Sequence, residues 1–414
     1  MYRRIEKFTD VWDGQRVLLS HVNAIQEIEN VRVFEAVDRV LAYPAYSPKD
    51  LPPHHASHMD GFAVNSKDLE QASAERPVRL HVVGEITPGK RHALVLHRGE
   101  TARILTGGFL PEGADAVVPQ EFVRIEDDVV VFMHPAEPWQ YVDVQGFDIK
   151  AGQLLFPTGH RLKAADTALL ASLGFSTVDV IRRPRAGIMA VGDELTDKFE
   201  ELEKGKVLNT HTWVVRRLVQ ASGAEAFFLG ILPDNPSIFE KTISSNIGHV
   251  DLLITIAGSS ISEKDVSSIY AENTGEGVYV HGLTLQPGRV GGFAVVAGKP
   301  LIMLPGLIMS TLNVFMFLAY PVLRKLQHQQ PSFYHHRVRA LLTETVRFRK
   351  YHNFVKVVWV SVEEGDDMLL CRPNLGESSG MSIPSRSDGF IIGMPGVKEI
   401  PEGSQVWVHY PPTL

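Results

Sequence analysis

Acidic residues stand directly after several short apolar runs of this chain. Asp193 and Glu194 follow one such run, Asp234 follows the next, and Asp265 closes a loop after a third. If the runs are parallel strands of one open α/β sheet, all four carboxylates meet at the edge where such sheets bind ligands. This spacing predicts a ligand site. The alternative is that Asp193 and Asp234 only cap helices, as aspartate commonly does.

A second group that could do chemistry is a cluster of histidines, His54, His55 and His58, just before Asp60. Imidazole nitrogens are good ligands for transition metals. On a strand, His54 and His58 would share a face with Asp60 because side chains alternate with a period of two. Exposed loop histidines are commoner than metal ligands, so both interpretations stay open.

The elements that would position the acidic residues lie between residues 183 and 326, where β-rich runs alternate with segments of helical period. The predicted strands are Arg185–Val191, Glu225–Leu232, Val250–Gly258 and Lys299–Gly306, and the predicted helices are His211–Ser222, Pro236–Ile247 and Met309–Leu326. In the first helix Val214, Val215, Leu218 and Val219 share one face, and Gly223 ends it. This alternation predicts a doubly wound α/β unit with a parallel sheet.

The rest of the chain has strand-and-turn character, from about Leu51 to Val144 and from about Phe333 to the end. The runs Val355–Glu363 and Ser404–Tyr410 are typical strands beside glycine-containing turns. At 414 residues the chain is long enough for two to four domains, since about 100–200 residues per domain is usual. The whole is predicted to be α+β.

Composition excludes several classes of protein. The formal net charge of −7 argues against a nucleic-acid-binding protein, because such proteins usually carry a basic excess. The single cysteine, Cys371, rules out an intrachain disulfide and a cysteine-rich zinc site, which fits a reducing compartment. The start lacks the apolar run of a secretory signal. The longest apolar stretch, Gly306–Leu323, is interrupted by polar residues and favours a buried helix over a membrane span.

Residues Ser57–Val64 read S-H-M-D-G-F-A-V and resemble the S-x-M-D-G-[YF]-A signature of the molybdotransferase family, which includes MoeA and the E domain of gephyrin. Arg103–Gly108 and Pro111–Val117 are similar to the family's R-I-x-T-G and P-x-G-A-D-x-V blocks. Further similar blocks follow in family order: Gly146–Lys150, Leu170–Gly174, Gly192–Leu195, Asp234, the 257–265 loop, Pro287–Arg289, Leu304–Gly306 and Ser378–Met381. The resemblance therefore extends over about residues 10–410.

The resemblance implies an α+β multidomain fold with a central MogA-like doubly wound α/β domain, a β-rich N-terminal insertion and a C-terminal β-barrel-like domain. The implied domains are an elongated N-terminal domain (1–50 with 147–182), a β-rich inserted domain (51–146), an α/β molybdopterin-binding domain (183–328) and a C-terminal β domain (329–414).

The reaction that the resemblance implies is the insertion of molybdate, or tungstate, into the dithiolene of adenylylated molybdopterin with release of AMP. The cofactor that the resemblance implies is Mg²⁺, a hard cation that prefers oxygen ligands such as carboxylates. The residues that match the family's catalytic positions are Asp60, Thr106, Glu194, Asp234 and Asp265. The four acidic residues among them are the implied metal ligands, and Thr106 would hydrogen-bond the substrate.

The ligand-binding positions that match the family are Gly258, Ser259, Ser260, Pro287, Arg289, Pro305, Gly306 and Ser379. Several loops depart from the family pattern. Ala257 and Ser262 replace glycines that let the backbone approach a phosphate, and Gln286 and Arg289 replace lysines. Arginine can still bind a phosphate, in bidentate geometry. Val290 replaces a proline, and Leu307–Ile308 replaces a polar Asn-Pro pair.

These departures leave an alternative open, namely a catalytically weakened paralogue that binds a pterin or nucleotide as a carrier or assembly scaffold. The retained acidic residues favour the transferase. By resemblance the protein is expected to be a cytoplasmic homodimer. A molybdopterin adenylyltransferase and apo-molybdoenzymes are the implied protein partners, and neither nucleic acid nor membrane is expected.

Overall fold

The computed structural model describes residue 5 and residues 7–90, 93–257 and 265–412. Its α-helices are Val11–Ser20, Ala164–Ser172, Thr210–Ala221, Pro236–Asn246, Val266–Thr274, Ile308–Val314, Tyr320–Leu326 and Ser382–Ser385. Short 3-10 turns span Val33–Glu35, Ser66–Leu69, Gln120–Phe122, Phe199–Lys204 and Ile247–His249. Within these ranges most strands belong to three six-stranded sheets.

The central sheet carries the strands predicted for the α/β unit. Its strand order is Glu225–Leu232, Arg185–Val191, Leu252–Ile256, Lys299–Leu304, Gly292–Val296 and Tyr279–His281. The first four strands are parallel, and the last two join the sheet through successive antiparallel pairings. Phe239 and Ile243 pack on one face, while Val215 and Leu218 pack on the other. Helices therefore cover both faces, and the predicted doubly wound architecture is confirmed.

The closing helix of this unit was predicted as one piece over Met309–Leu326, but a π-helical turn, Phe315–Ala319, divides it. Pro321 has no backbone N–H, so it cannot donate to the carbonyl of Phe317 one turn earlier. The side chain of Gln15 donates to that carbonyl instead (Nε2 to O, 2.6 Å). Pro321 and Gln15 together explain how an interrupted helix remains fully buried here.

The inserted sheet has the strand order Ala116–Pro119, Gly61–Val64, Glu100–Ile104, Val78–Ile86, Val129–Phe132 and Val123–Glu126. The chain enters and leaves this region at one place. The N–H of Leu51 donates to the carbonyl of Ile149 (2.8 Å), and the N–H of Gly146 donates to that of Pro52 (3.1 Å). The two segments that enter and leave this region form its neck, and a short strand pair, Ala56–Ser57 with Val142–Asp143, extends the neck.

The C-terminal sheet has the order Leu285–Gln286, Val355–Glu363, Leu370–Pro373, His336–Leu342, Gln405–Tyr410 and Gly389–Gly393. Gly389–Gly393 also pairs with Val355–Glu363, so the sheet closes into a barrel, as predicted. The strand Leu285–Gln286 belongs in sequence to the α/β unit but joins this barrel through its pairing with Val355–Lys356. It thereby ties the two units together.

The remaining strands form two-stranded pairs: Ile28–Arg32 with Thr177–Ile181, Ala45–Tyr46 with Leu154–Phe156, Leu195–Thr196 with Val207–Leu208, and Val346–Arg347 with Glu399–Ile400. The first two connect residues 28–46 to residues 154–181. Among the described residues, no helix has both the length and the apolar character needed to span a membrane. Residues 308–323 are buried, as predicted for this stretch.

Candidate functional site

The carboxyl ends of two neighbouring central strands bring Asp193, Glu194 and Asp234 to one edge of the sheet. The N–H of Asp234 donates to Oδ1 of Asp193 (3.3 Å). Neither aspartate caps a helix, because Asn235 is the residue that caps Pro236–Asn246. The capping interpretation of Asp193 and Asp234 is therefore wrong.

Gly192 sets the position of the neighbouring Glu194 carboxylate. Its φ of +155° lies in a region that side chains rarely adopt, and a Cβ there would lie 2.7 Å from both carboxylate oxygens of Glu194. A side chain at 192 would therefore strain the backbone and displace the Glu194 carboxylate. The Glu194 carboxylate consequently folds back over its own backbone.

Asp265 lies at the end of the third strand's loop and is buried, with 2% of its surface exposed. One carboxylate oxygen accepts from the N–H of Ser268 (3.0 Å) and caps the helix Val266–Thr274. The other lies 4.0 Å from Nε2 of His281. Helix capping, which was considered for Asp193 and Asp234, is thus a role of Asp265. Gly258, Ser259 and Ser260 lie outside the described residues.

Ala257 ends the strand Leu252–Ile256 with a φ of +63°, the left-handed region that favours glycine. Its N–H donates to the carbonyl of Leu304 (2.9 Å), and Gly306 packs against it, since a Cβ on Gly306 would lie 3.1 Å from the Ala257 Cβ. Alanine costs about 1 kcal/mol in this conformation. The replacement of the family glycine at 257 is thus a strained one. Pro305 precedes Gly306, and its carbonyl accepts from the hydroxyl of Thr311 (2.6 Å).

Asp60 and Thr106 form a separate pair at the edge of the inserted sheet, where both are exposed. Oδ1 of Asp60 accepts from the backbone N–H of Thr106 and from its hydroxyl, both at 2.7 Å. These two hydrogen bonds, with a smaller contribution from Arg103, hold the pKa of Asp60 below its ordinary value. Asp60 is therefore a carboxylate at neutral pH.

A cleft of about 670 Å³ lies between the α/β unit and the C-terminal barrel. Pro287, Arg289 and Ser310 line it from the α/β side. The barrel contributes Lys356 and the segment Val346–Tyr351, which adds Arg347, Arg349 and Lys350. Ser378 lines the cleft next to the predicted Ser379, and its carbonyl accepts from the N–H of Met309 (3.1 Å). Five cationic side chains around one cleft suit an anionic ligand.

Lys356 and Tyr351 are cleft residues that the sequence analysis missed. Lys356 is only 4% exposed, and its ammonium donates to the carbonyl of Lys350. Burial lowers the pKa of Lys356. The signal was a lone lysine inside the apolar run Val355–Val360.

The three histidines near Asp60 have different partners. His54 packs edge-on against Phe109 (4.9 Å between ring centroids), and Nδ1 of His55 accepts from the N–H of Gln145 (3.0 Å). His58 lies 3.2 Å from the Asp143 carboxylate. In the ranges that the structure describes, no three His, Cys, Asp or Glu side chains are grouped so that they could hold a metal ion. The hypothesis of a shared transition-metal site at these histidines therefore finds no support.

Comparison with known proteins gives the chain its relatives. Residues 9–174 match the family model "MoeA N-terminal region (domain I and II)", and residues 187–325 match "Probable molybdopterin binding domain". The molybdopterin molybdenumtransferase of Nostoc sp. is 34% identical over 75% of this chain and 72% of its own length. That of Bacillus subtilis is 30% identical over 94% and 91%.

Solved structures agree with these relatives. Two crystal structures of the molybdopterin biosynthesis MoeA protein from Pyrococcus horikoshii superpose with TM-scores of 0.82 and 0.84, at 30% and 26% identity. They cover 98% of this chain and 99% and 100% of their own. The similarity therefore includes the inserted sheet, the α/β unit and the C-terminal barrel.

Proposed function

The chain belongs to the MoeA family of molybdopterin molybdenumtransferases, and from this membership we propose that it inserts molybdate or tungstate into adenylylated molybdopterin and releases AMP. Water attacks the adenylyl phosphorus, the anhydride P–O bond breaks and AMP leaves. The two dithiolene sulfurs bind the metal and displace oxygen ligands, which take up protons and leave as water.

The observation that carries the proposal is the cationic cleft. Its five cations come from both the α/β unit and the barrel and outnumber Glu377, the acidic residue in the lining, so a ligand between the two units meets a positive excess. The substrates are a phosphorylated pterin and a dianionic oxyanion, and such ligands are bound by arginine and lysine side chains. Pro287, Arg289 and Ser379 are assigned to this binding role, together with Lys356.

The acidic residues at the sheet edge support a catalytic role for a divalent cation. Mg²⁺ is usually held by one or two carboxylates together with substrate phosphates and water, so a site with fewer than three protein ligands suits it. Glu194 and Asp234 follow adjacent strands and are the first candidates, and Asp265, which follows the third strand in sequence, is the next. When bound, the cation would neutralise the phosphates of the substrate. We assign Gly258, Ser259, Ser260, Pro305 and Gly306 to the same substrate site by their match to the family.

Asp60 and Thr106 are proposed to act in a second group, on the inserted sheet. Their hydrogen bonds join them to each other, and none of the described residues between 51 and 146 lines the cationic cleft. A homodimer in which one subunit supplies Asp60 to the partner's cleft would unite the two groups. The exposed Phe34 (72%) and Phe147 (65%) are apolar side chains suited to such a subunit contact.

A carrier that binds the pterin without releasing AMP is the second candidate. The specific observation in its favour is the strained Ala257, at φ +63°, next to the loop where family members carry glycine. The exposed ionised Asp60 favours the transferase.

The test is AMP release from adenylylated molybdopterin by the purified protein with Mg²⁺, with and without molybdate. We expect molybdate-dependent release by the wild type and its loss in Asp60→Ala. Glu75→Ala, a change at an exposed acidic residue of the same inserted region, is the matched control and should keep release. Tight binding of the pterin without any AMP release would establish the carrier instead.

A further inference from the structure

Tyr351 contacts two cations of the cleft that come from different units. The guanidinium of Arg289, from the α/β unit, donates through Nη1 to the Tyr351 hydroxyl, and its Cζ lies 5.3 Å from the centroid of the ring. Nζ of Lys356, from the barrel, lies 5.4 Å from the same centroid. One aromatic side chain therefore contacts both positive charges.

The Tyr351 ring offsets the electrostatic repulsion between these two cations. Two positive side chains repel each other, but the electron-rich face of tyrosine attracts both of them. Phe354 supports this arrangement, because its ring lies 5.1 Å from Tyr351 and 5.9 Å from the ammonium of Lys356. Tyr351 itself has a φ of +56°, an uncommon conformation for a tyrosine. The Tyr351 side chain that contacts both cations therefore projects from an uncommon backbone conformation.

The hydrogen-bonding groups around Tyr351 are arranged to receive an anion. The hydroxyl oxygen accepts from Arg289, so its own hydrogen can be donated to a further acceptor. The Nε–Nη2 edge of Arg289 makes no hydrogen bond to any residue in the described ranges. Guanidinium edges of this kind bind tetrahedral oxyanions in bidentate geometry.

We propose that Tyr351 is an oxyanion-binding residue: its hydroxyl donates to a tetrahedral dianion held between Arg289 and Lys356, and its ring sets the distance between the two cations. The anion is either the molybdate substrate or a phosphate group of the pterin substrate. This assignment rests on the proposed function for the identity of the anion, although the binding itself is independent of turnover.

Calorimetric titration with four probes, namely molybdate, tungstate, inorganic phosphate and AMP, tests the assignment. Tyr351→Phe removes only the hydroxyl and should weaken binding of the preferred anion about tenfold, the usual effect of losing one hydrogen bond to a charged group. Tyr351→Leu removes the ring as well and should weaken it further. Tyr334→Phe, a tyrosine outside the cleft lining, is the control and should bind as the wild type does.

The pattern over the probes identifies the anion. A loss confined to molybdate and tungstate assigns Tyr351 to the metal substrate, whereas a loss with phosphate and AMP assigns it to the pterin phosphate. In the AMP-release assay, Tyr351→Phe should raise KM for that substrate much more than it lowers kcat. A merely structural role would instead lower Tm and kcat and leave KM nearly unchanged.

The outcomes separate this inference from the proposed function. If the wild type releases AMP but Tyr351→Phe binds every probe as tightly as the wild type, the role of Tyr351 is wrong and the function stands. If the wild type releases no AMP but Tyr351→Phe loses oxyanion affinity, the function is wrong and the role of Tyr351 stands. Failure of the wild type to bind any of the four probes overturns the role of Tyr351.

Discussion

At the scale of single residues, Thr106 holds the Asp60 carboxylate through its backbone N–H and its hydroxyl. Thr106→Val keeps the N–H and removes the hydroxyl, so the pKa of Asp60 should rise toward its ordinary value of 3.8. Thr106→Ser keeps both donors and serves as the matched variant. Carbon-13 NMR titration of the Asp60 carboxyl measures the shift, and an identical titration in the Val and Ser variants would contradict the prediction.

Lys356 gives a prediction for pH. Burial lowers the pKa of Lys356 below its ordinary value of 10.5, so the side chain loses its charge at a lower pH than an exposed lysine does. Tungstate affinity should therefore fall as the pH is raised from about 7 to 9.5, while Lys356→Arg, whose guanidinium stays charged, should keep its affinity. Calorimetry at both ends of this range is the measurement. Parallel losses in the two proteins would exclude Lys356 as the titrating group.

The site residues differ in how far the sequence could reveal them. Asp60 and Thr106 were predicted from blocks of sequence about 46 positions apart, and the structure joins them by direct hydrogen bonds. Lys356 was missed because a local pattern cannot show that a barrel strand is covered on both faces, and Tyr351 was missed because it lies in the turn before that strand, where no periodic pattern marks it. The sequence showed that Ala257 replaces a family glycine, but only the structure gives the φ of +63° that makes this replacement strained.

At the scale of elements, Asn313 connects three segments that form the cleft. Its Nδ2 donates to the carbonyl of Pro287 (2.9 Å), and its Oδ1 accepts from Nε1 of Trp359 (3.0 Å). The side chain is buried, with 1% exposed. The helix Ile308–Val314 thereby holds the Arg289 loop against the barrel strand Val355–Glu363.

Asn313→Leu should lower the free energy of unfolding by about 3 kcal/mol, because the buried Trp359 indole N–H and the partly buried Pro287 carbonyl would both lose their hydrogen-bond partner. Trp359→Phe removes the indole donor. In a double-mutant cycle by urea unfolding, the double variant should cost clearly less than the sum of the two single variants. Additive costs would mean that the Asn313–Trp359 hydrogen bond contributes nothing.

Element bounds followed closely from apolar runs, as for Arg185–Val191 and Glu225–Leu232. The antiparallel extension of the central sheet was missed. Gly292–Val296 turns into Lys299–Leu304 through Ala297 and Gly298, which both have positive φ, as a two-residue hairpin turn requires. Alanine at the first turn position hid the signal, since asparagine or aspartate is usual there.

At the scale of the whole molecule, His409 of the barrel lies near the contact with the α/β unit, and its protonation affects the stability of the fold. Its imidazole is 4% exposed and packs against Phe333 (5.1 Å between ring centroids), whose ring also stacks on Phe317 of the closing helix. Burial, with a smaller effect of Arg337, lowers the pKa of His409 from 6.5 to about 4. The folded protein therefore keeps this imidazole neutral where the unfolded chain takes up a proton.

Because the unfolded state binds the proton first as the pH falls, stability should be lost between pH 6.5 and about 4. The loss from this one group is up to about 3 kcal/mol. His409→Phe cannot titrate, so its free energy of unfolding should fall less than that of the wild type between about pH 7 and 5. Urea unfolding at both pH values measures the difference, and equal losses would rule out His409 as the source.

The fold class was predictable because residues 183–326 alternate between strand and helix patterns, while the segments on either side have strand-and-turn character. The contacts that join the units were not predictable. The strand Leu285–Gln286 lies within the predicted α/β domain of residues 183–328 and yet pairs with the barrel. A strand of two residues carries no periodicity. Its partner can be seen only when the three-dimensional structure is known.

The neck of the inserted sheet bears on the ancestry of the chain. Leu51 and Ile149 are almost a hundred positions apart in sequence but are joined by a backbone hydrogen bond of 2.8 Å, so the intervening segment begins and ends at a single point of the remaining structure. A gene could gain or lose such a segment in one event without rerouting the surrounding polypeptide. Asp60 and Thr106 both lie in this segment, so one such event would add or remove both residues together.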